Sequence, residues 1–185
     1  MAVAGVSDLR IETARLVLRS WRAEDLDPFA AMCADPVVMA TLGPVMSRDE
    51  TAALIARIDA IEQANGYTAW AVERRSDKRF LGWCGLIPGT FWPIEGRTEI
   101  GWRLASDAWG QGYATEAARQ VVDWFLANLS DNALWAITSR GNHRSRAVMA
   151  RIGMTRCPDL DFDHPKVPEG DPLRPHVTYC LERPH

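Results

Sequence analysis

Several features that mark other protein classes are missing from this sequence. No run approaches the about 18 apolar residues that cross a membrane. The opening residues lack the basic stretch and the long apolar stretch of a secretory signal peptide. The four cysteines, Cys33, Cys84, Cys157 and Cys180, form no CxxC pattern, which argues against a zinc or dithiol redox motif. These absences favour a cytoplasmic protein whose cysteines are small core residues or free thiols.

An excess of charge of one sign is also missing. The 185 residues include 21 Lys and Arg against 24 Asp and Glu, a formal net charge of −3. The chain therefore has no general positive field, and we expect neither nucleic acid nor a membrane as a partner. The length predicts one domain over residues 1–185 that needs no disulfide or metal, with residues 1–10 as a flexible N-terminus.

The hydrophobic pattern predicts an α+β fold rather than strict alternation of strands and helices. Period-two runs predict strands at Thr13–Arg19, Thr68–Glu73, Phe80–Ile87, Thr98–Leu104, Leu134–Thr138 and His176–Glu182. Helical spacing and caps predict helices at Leu26–Cys33, from the capping box Ser47–Glu50 to Asn65, at Tyr113–Asn128, and from Asn142 to Gly153. Cys157–Pro175 is predicted to be a loop.

The clearest chemical signal is the segment Glu99–Ala118, in which a strand runs into a glycine turn and then into a helix. The first N–H groups of a helix lack partners and carry the positive end of its dipole. Gly110 and Gly112, with the small Ala114, would let this backbone approach a pyrophosphate, although such a turn is often only a turn. The segment lacks the Lys-Ser/Thr of a P-loop and the full G-x-G-x-x-G of a dinucleotide fold.

Separated pieces of the sequence resemble the GNAT superfamily of acetyl-CoA-dependent N-acetyltransferases. The turn Trp109–Ala114 resembles the signature Arg/Gln-x-x-Gly-x-Gly/Ala, with tryptophan in place of Arg or Gln. The string WGQGYATEA, the segment Asn142–Met154 and the run Thr13–Arg19 are similar to the RimJ/RimL-like branch of ribosomal-protein N-terminal acetyltransferases. The resemblance implies a central mixed, mostly antiparallel sheet. It would be splayed between the fourth and fifth predicted strands and flanked by about four helices.

The resemblance implies acetyl-CoA as the cosubstrate and no metal. Backbone groups of Trp102, Arg103 and Leu104 would pair with the pantetheine amides, and Asn142 would contact the pantetheine arm. The pyrophosphate would lie on Trp109, Gly110, Gln111, Gly112, Tyr113, Ala114 and Thr115. Arg144, Arg146 and Arg151 are candidates for the adenosine phosphates, because guanidinium suits phosphate, or they form a solvated helix face.

Two side chains are predicted to be catalytic. Glu99 stands where many GNAT enzymes place the base that deprotonates the acceptor amine; alternatively, it pairs with Arg97 or Arg103. Ser145 matches the branch's serine near the sulfur of CoA and would assist the leaving thiolate; alternatively, it bonds the backbone. The Leu104 N–H is the favoured donor to the developing oxyanion. Tyr113 and Cys84 are weaker candidates for the thiolate role.

The acceptor stays open at this stage. A primary amine of a protein N-terminus or of a small molecule fits the resemblance, and the alternative is a non-catalytic CoA-binding or protein-interaction module. The segment Asp161–His164, with His176, is predicted to be structural or acceptor-binding rather than metal-binding, and its carboxylates would attract a cationic acceptor. Trp21 and Trp92 would be further pocket walls. A monomer and a homodimer are both compatible with the sequence.

Overall fold

A nine-stranded sheet organises residues 9–184, the part of the chain that the computed structural model describes. The strands are β1 (Arg10–Glu12), β2 (Leu16–Arg19), β3 (Ala69–Arg74), β4 (Phe80–Pro88), β5 (Thr98–Leu104), β6 (Ala133–Ser139), β7 (Thr155–Arg156), β8 (Phe162–Asp163) and β9 (Pro175–Glu182). Their order is β1-β2-β3-β4-β5-β6-β9-β7, with β8 beside β9. Only β5 and β6 pair in parallel among these strands, which confirms the predicted mixed, mostly antiparallel sheet.

The sheet opens where the parallel strands meet. β4 and β5 pair along the whole length of β5, whereas β5 and β6 register at a single pair, Glu99 with Trp135. Beyond that pair the two strands diverge toward their carboxyl ends. The predicted splay is therefore confirmed, between β5 and β6.

The helices are α1 (Leu26–Cys33), α2 (Pro36–Met39), α3 (Arg48–Asn65), α4 (Tyr113–Asn128) and α5 (His143–Arg151). Four of them span eight residues or more, in agreement with the prediction, and α2 is a single turn that the pattern did not indicate. The capping box holds the start of α3, because the Ser47 N–H donates to Glu50 at 2.7 Å and the Glu50 N–H to Ser47 at 3.2 Å. Gly66 ends α3 at φ 74°.

Different elements pack on the two faces of the sheet. The helix α4 packs a buried stripe, Ala117, Ala118, Val121, Val122 and Phe125, against the face that carries Ile100 and Leu104. A second apolar cluster, Phe29, Met32, Cys33 and Val38, lies on the opposite side, where Trp83 packs against it. Each face of β5 therefore meets a different set of helices.

Some boundaries differ from the prediction. The predicted strand Thr13–Arg19 is shorter, because β2 begins at Leu16. The residues before it form the turn from β1, which closes when the Thr13 N–H donates to the Leu16 carbonyl at 2.9 Å. The predicted loop Cys157–Pro175 contains β8, which adds to the edge of β9. The predicted flexible N-terminus falls mostly outside the described residues, although Arg10 begins β1. Among residues 9–184, no helix has the length and apolar character of a membrane span.

Candidate active site

A cleft of about 1070 Å³ opens along the splay, between the end of β5, the start of α4, α5 and the turn that joins β1 to β2. It collects the predicted residues Trp102, Arg103, Leu104, Trp109, Gly110, Gly112, Tyr113, Ala114, Thr115, Asn142, Ser145 and Arg151. Gln111, Glu99 and Arg146 are predicted to take part in the site but do not line this cleft. The structure thus brings together three separate segments of the chain.

Two backbone N–H groups of β5 point into the splay between β5 and β6, where they are available as hydrogen-bond donors. The Ala105 N–H donates to the Leu81 carbonyl at 2.9 Å, and Trp83 and Arg103 are register partners. Because hydrogen-bonding direction alternates along an antiparallel pair, the N–H groups of Trp102 and Leu104 point away from β4 and into the splay. The backbone of Arg103 faces β4 instead, which corrects its predicted backbone contact with pantetheine.

The turn before α4 has the backbone shape that an anion cradle needs. Gly110 and Gly112 have φ values of 75° and 80°, in the left-handed region. Gly112 caps α4 without a side-chain hydrogen bond, so the first N–H groups of this 16-residue helix keep no side-chain acceptor. A Cβ atom at Gly110 would meet open space. The turn therefore presents exposed backbone to the cleft.

An ionic clamp holds this turn, and the sequence pattern did not indicate it. Arg15 donates to the Gln111 carbonyl at 2.9 Å and to the Glu116 carboxylate at 2.7 Å. Thr13 donates to the same carboxylate at 2.5 Å. Burial opposes ionisation of Glu116, yet the hydrogen bonds from Thr13 and Arg15 lower its pKa. The Gln111 side chain donates to the Asp107 carbonyl at 3.1 Å, so only its backbone belongs to the cradle.

Trp109, which replaces the Arg or Gln of the family signature, has two contacts. Its indole Nε1–H donates to the Leu104 carbonyl at 2.9 Å. The guanidinium of Arg144 lies 4.4 Å from the centre of its ring. This residue therefore joins the end of β5 to the start of α5 across the cleft.

The start of α5 carries Asn142 and Ser145. The Asn142 side chain accepts from the Ser145 N–H at 3.1 Å and donates to the Thr138 hydroxyl at 3.0 Å, so it caps α5 and ties it to β6. Each bond uses one of the donor or acceptor positions of this amide, and Asn142 lines the cleft, so its contact with pantetheine stays a prediction. The Ser145 hydroxyl faces the cleft and has no partner among residues 9–184, so the alternative of a backbone bond is wrong.

The three arginines of α5 separate into two groups. Arg144 and Arg151 line the cleft. Arg146 instead donates to the Tyr179 hydroxyl at 3.3 Å and to the Arg140 carbonyl at 3.1 Å, and it does not line the cleft. It fastens α5 to β9, which corrects its prediction as a phosphate ligand.

Glu99 lies at the vertex of the splay, on the face of β5 opposite Ile100. Its carboxyl group has no hydrogen bond or ion pair with any described residue. The guanidinium of Arg97 stacks on Trp135 at 4.0 Å, and Arg103 contacts sulfur atoms, so neither predicted ion pair forms. Burial raises the pKa of Glu99 to about 8. The carboxyl group is therefore unpaired and able to exchange a proton near neutral pH.

The segment after β7 is held by its own side chains. The carboxylates of Asp161 and Asp163 pair with Arg156 and Arg174, so they offer little net charge to a cationic acceptor. The rings of His164 and His176 have centroids 4.7 Å apart. Burial lowers the pKa of both histidines. Within the described part of the chain, no group of three or more His, Cys, Asp and Glu residues is arranged to hold a metal ion.

The two predicted pocket walls differ in burial, and so do the cysteines. Trp21 donates to the Ala69 carbonyl at 2.7 Å and packs on Phe29, whereas Trp92 is 59% exposed. All four cysteines are free thiols, Cys33 and Cys84 being buried. Burial also raises the pKa of the Cys84 thiol, which leaves it protonated near neutral pH.

Comparison with known proteins identifies the class and the family. A model of the acetyltransferase (GNAT) domain matches residues 15–155, most of the chain. The protein is an acetyltransferase and belongs to the GNAT family. The chain is 30% identical over 185 residues to the FsC-acetyl coenzyme A-N(2)-transacetylase of Aspergillus fumigatus, a match covering 94% of this chain and 76% of that protein. It is 31% identical over 148 residues to the uncharacterized protein YkkB of Bacillus subtilis, covering 78% and 84%.

Solved structures share the fold. An acetyltransferase from Agrobacterium tumefaciens superposes with a TM-score of 0.78 at 26% identity, covering 99% of each chain. RimL, a ribosomal L7/L12 alpha-N-protein acetyltransferase solved with coenzyme A, gives a TM-score of 0.76 at 16% identity, covering 95% of this chain and 98% of RimL. The second similarity concerns the fold alone.

Proposed function

We propose that the protein transfers an acetyl group from acetyl-CoA to a primary amine, which attacks directly. The observation that carries this proposal is the splay between β5 and β6, lined by the N–H groups of Trp102 and Leu104 and ending at the glycine turn of α4. A long ligand with amides at one end and phosphates at the other matches this order of groups.

The residues present fit acetyl-CoA. The free N–H groups of β5 suit the amide carbonyls of pantetheine, and the exposed N–H groups of the turn suit a pyrophosphate. Arg144 and Arg151 line the same cleft, where they would meet the adenosine phosphates. Acetyl-CoA supplies the activated acetyl thioester.

Glu99 supports direct attack by accepting the proton of the amine. Its pKa of about 8 lies close to the value of about 7.7–8.0 for an α-amino group, so the proton transfer is nearly balanced. A lysine amine, with a pKa of about 10.4, is much harder to deprotonate. The acceptor we propose is therefore a low-pKa amine of a protein N-terminus or of a small molecule.

Two further groups act on the developing charges. The Leu104 N–H points into the splay and would donate to the carbonyl oxygen as it becomes negative. The unpaired Ser145 hydroxyl would donate to the sulfur as it leaves. Glu99 belongs to β5 and Ser145 to α5, so the proposed base and the proposed donor to the leaving thiolate come from different elements.

Two similar proteins are named for different acceptors. The Aspergillus fumigatus relative is named for acetyl transfer to FsC, and RimL for transfer to a ribosomal protein. A cytoplasmic location and a monomeric or homodimeric state stay predictions from the sequence.

The test is a screen of amine acceptors in which free thiol release from acetyl-CoA is measured. We expect turnover with low-pKa amines and little with the side chain of an internal lysine peptide whose N-terminus is blocked. Efficient acetylation of that lysine would contradict the proposed acceptor. Acetyl-CoA binding without turnover on any amine would favour a non-catalytic CoA-binding module.

A further inference from the structure

Arg103 is a cation without an anionic partner at the edge of the site. Its Nη1 lies 3.2 Å from the Cys33 sulfur and 4.0 Å from the Met46 sulfur, and no carboxylate of the described residues pairs with it. Its Nε is buried and has no hydrogen-bond partner. Sulfur is a weak acceptor, and leaving a buried cationic donor unsatisfied is costly. The guanidinium therefore lacks the partner that its chemistry calls for.

A second unsatisfied donor lies directly across the strand pair. Trp83 of β4 is the register partner of Arg103, so both side chains project from the same face. The Trp83 Nε1 is also buried without a partner. A Cβ atom at Gly101 would lie 3.0 Å from Cη2 of Trp83, which shows that the indole lies over Gly101. Buried donors are nearly always paired, so two unpaired ones on side chains of neighbouring strand positions indicate a missing acceptor.

Arg103 lies on the same face of β5 as Glu99 and also belongs to the cofactor cleft. Glu99, Gly101 and Arg103 alternate onto one face of β5, and Arg103 also lines the cofactor cleft. Arg97 is a less suitable candidate, because its guanidinium already stacks on the Trp135 ring at 4.0 Å. Arg103 is thus the cation placed between the unpaired carboxyl group and the cleft.

We propose that Arg103, assisted by the Nε1–H of Trp83, binds an anionic group of the acceptor. The preferred acceptor is then a primary amine that also carries a carboxylate or a phosphate, which a guanidinium recognises through two hydrogen bonds. This inference rests on the proposed function and names its substrate class. Glu99 and Arg103 are four residues apart, about 13 Å along the strand, so several bonds separate the amine from the anion.

The experiment compares matched acceptors that differ only in the anion. Glycine peptides of two to four residues are assayed with a free carboxyl terminus, with an amidated one, and with the carboxyl terminus joined to ethanolamine or to phosphoethanolamine. The carboxylate and the phosphate then both lie several bonds from the amine. We expect the wild type to prefer one anionic series by about 10- to 100-fold in kcat/KM, the usual effect of a charged hydrogen-bonded pair. Which series is preferred separates carboxylate from phosphate.

The variants then assign the preference. Arg103→Gln should bring the ratio of anionic to neutral acceptor close to one, Arg103→Lys should restore part of it, and Trp83→Phe should lower it a few-fold. Arg48→Gln, which removes the same charge from an exposed pair with Asp27, should leave the ratio unchanged. A wild type with no anionic preference, or an Arg103→Gln variant that keeps it, would overturn the inference.

Binding of the reaction product separates this inference from the proposed function. The N-acetylated form of each acid and amide peptide is titrated against the CoA-bound protein by calorimetry. Tighter binding of the acid form to the wild type, but not to Arg103→Gln, supports the anion site even if no amine is turned over. Equal binding of both forms contradicts it, whatever the activity.

Discussion

The two sides of the splay offer different kinds of binding group, backbone N–H groups on one side and side chains on the other. On the cofactor side, the groups that suit pantetheine and pyrophosphate are backbone N–H groups of β5 and of the turn Gly110–Gly112, which the sheet and the Arg15–Glu116 clamp hold in place. On the opposite face, the groups that matter are three side chains, Glu99, Trp83 and Arg103, and each has a polar atom without a hydrogen-bond partner among the described residues.

This difference suggests that the fold determines cofactor binding, whereas individual side chains determine which acceptor is bound. A backbone cradle depends on glycine conformations and a strand register, so it suits one invariant ligand. On a face where side chains bind the ligand, a single substitution can change which ligand is bound. We therefore expect substitutions on the backbone side to change acetyl-CoA affinity, and substitutions on the side-chain side to change turnover and acceptor choice.

The largest expected effect is that of Glu99→Gln. Loss of the base should lower kcat with a genuine acceptor by about 10²–10⁴-fold and leave acetyl-CoA affinity nearly intact. The wild-type rate should rise with pH through about 8, because the carboxyl group accepts a proton only when ionised. The rate profile of the variant should follow only the titration of the acceptor. Steady-state kinetics from pH 6 to 10, roughly two units either side of that pKa, measure both.

The same variant tests the burial of Glu99 through stability. Burial raises its folded pKa from the ordinary 4.5 to about 8, so the stability that comes from holding the proton is complete below 4.5 and is lost as pH rises through 8. Gln is neutral throughout. The melting temperature of the wild type should therefore fall relative to Glu99→Gln across this range, and parallel curves would show that the carboxyl group is not buried.

Ser145→Ala should have the next largest effect. Removing the hydroxyl that faces the sulfur should lower kcat by about 10- to 100-fold, the low end of proton-transfer catalysis, with an unchanged dissociation constant for acetyl-CoA. The helix cap survives, because Asn142 bonds the Ser145 N–H and not its side chain. Kinetics paired with a binding titration measure the two effects. If Ser145→Ala and Glu99→Gln both keep wild-type turnover, positioning alone accounts for the rate.

Gly112→Val tests the backbone side. Gly112 has φ 80°, and a Cβ atom there would lie 3.4 Å from Nη2 of Arg15. At 100 times the dissociation constant, acetyl-CoA should stabilise the wild type by about 2.7 kcal/mol. The variant should lose this thermal shift, because the turn no longer approaches a phosphate. Gly66→Val imposes the same left-handed strain, at φ 74° and away from the cleft, and should keep the shift. An unchanged shift in Gly112→Val would refute the cradle.

The same division explains what the sequence revealed. The glycines of the cradle, the capping box of α3 and the stripe of α4 are local patterns, and the structure confirms them. The clamp between Arg15 and Glu116 joins residues 101 positions apart, and the contact between Arg103 and Cys33 joins residues 70 apart. No spacing rule indicates such pairs. Glu99 is unpaired because Arg97 stacks on Trp135 and Arg103 contacts Cys33, and the sequence indicates neither contact.

Substitution of Trp109 should have the smallest effect, and it tests whether the cofactor side and the acceptor side of the site are independent. Its indole N–H bonds the Leu104 carbonyl at 2.9 Å, and its ring carries Arg144 at 4.4 Å. Trp109→Phe keeps an aromatic face and removes the hydrogen bond, so it should lower the free energy of unfolding by about 1 kcal/mol. It should weaken acetyl-CoA binding a few-fold and leave the acceptor preference unchanged. Denaturant titration, calorimetry and the acid-to-amide ratio measure these three quantities. A changed acceptor preference would mean that the end of β5 transmits strain from the cofactor side to Arg103, and that the two sides are not independent.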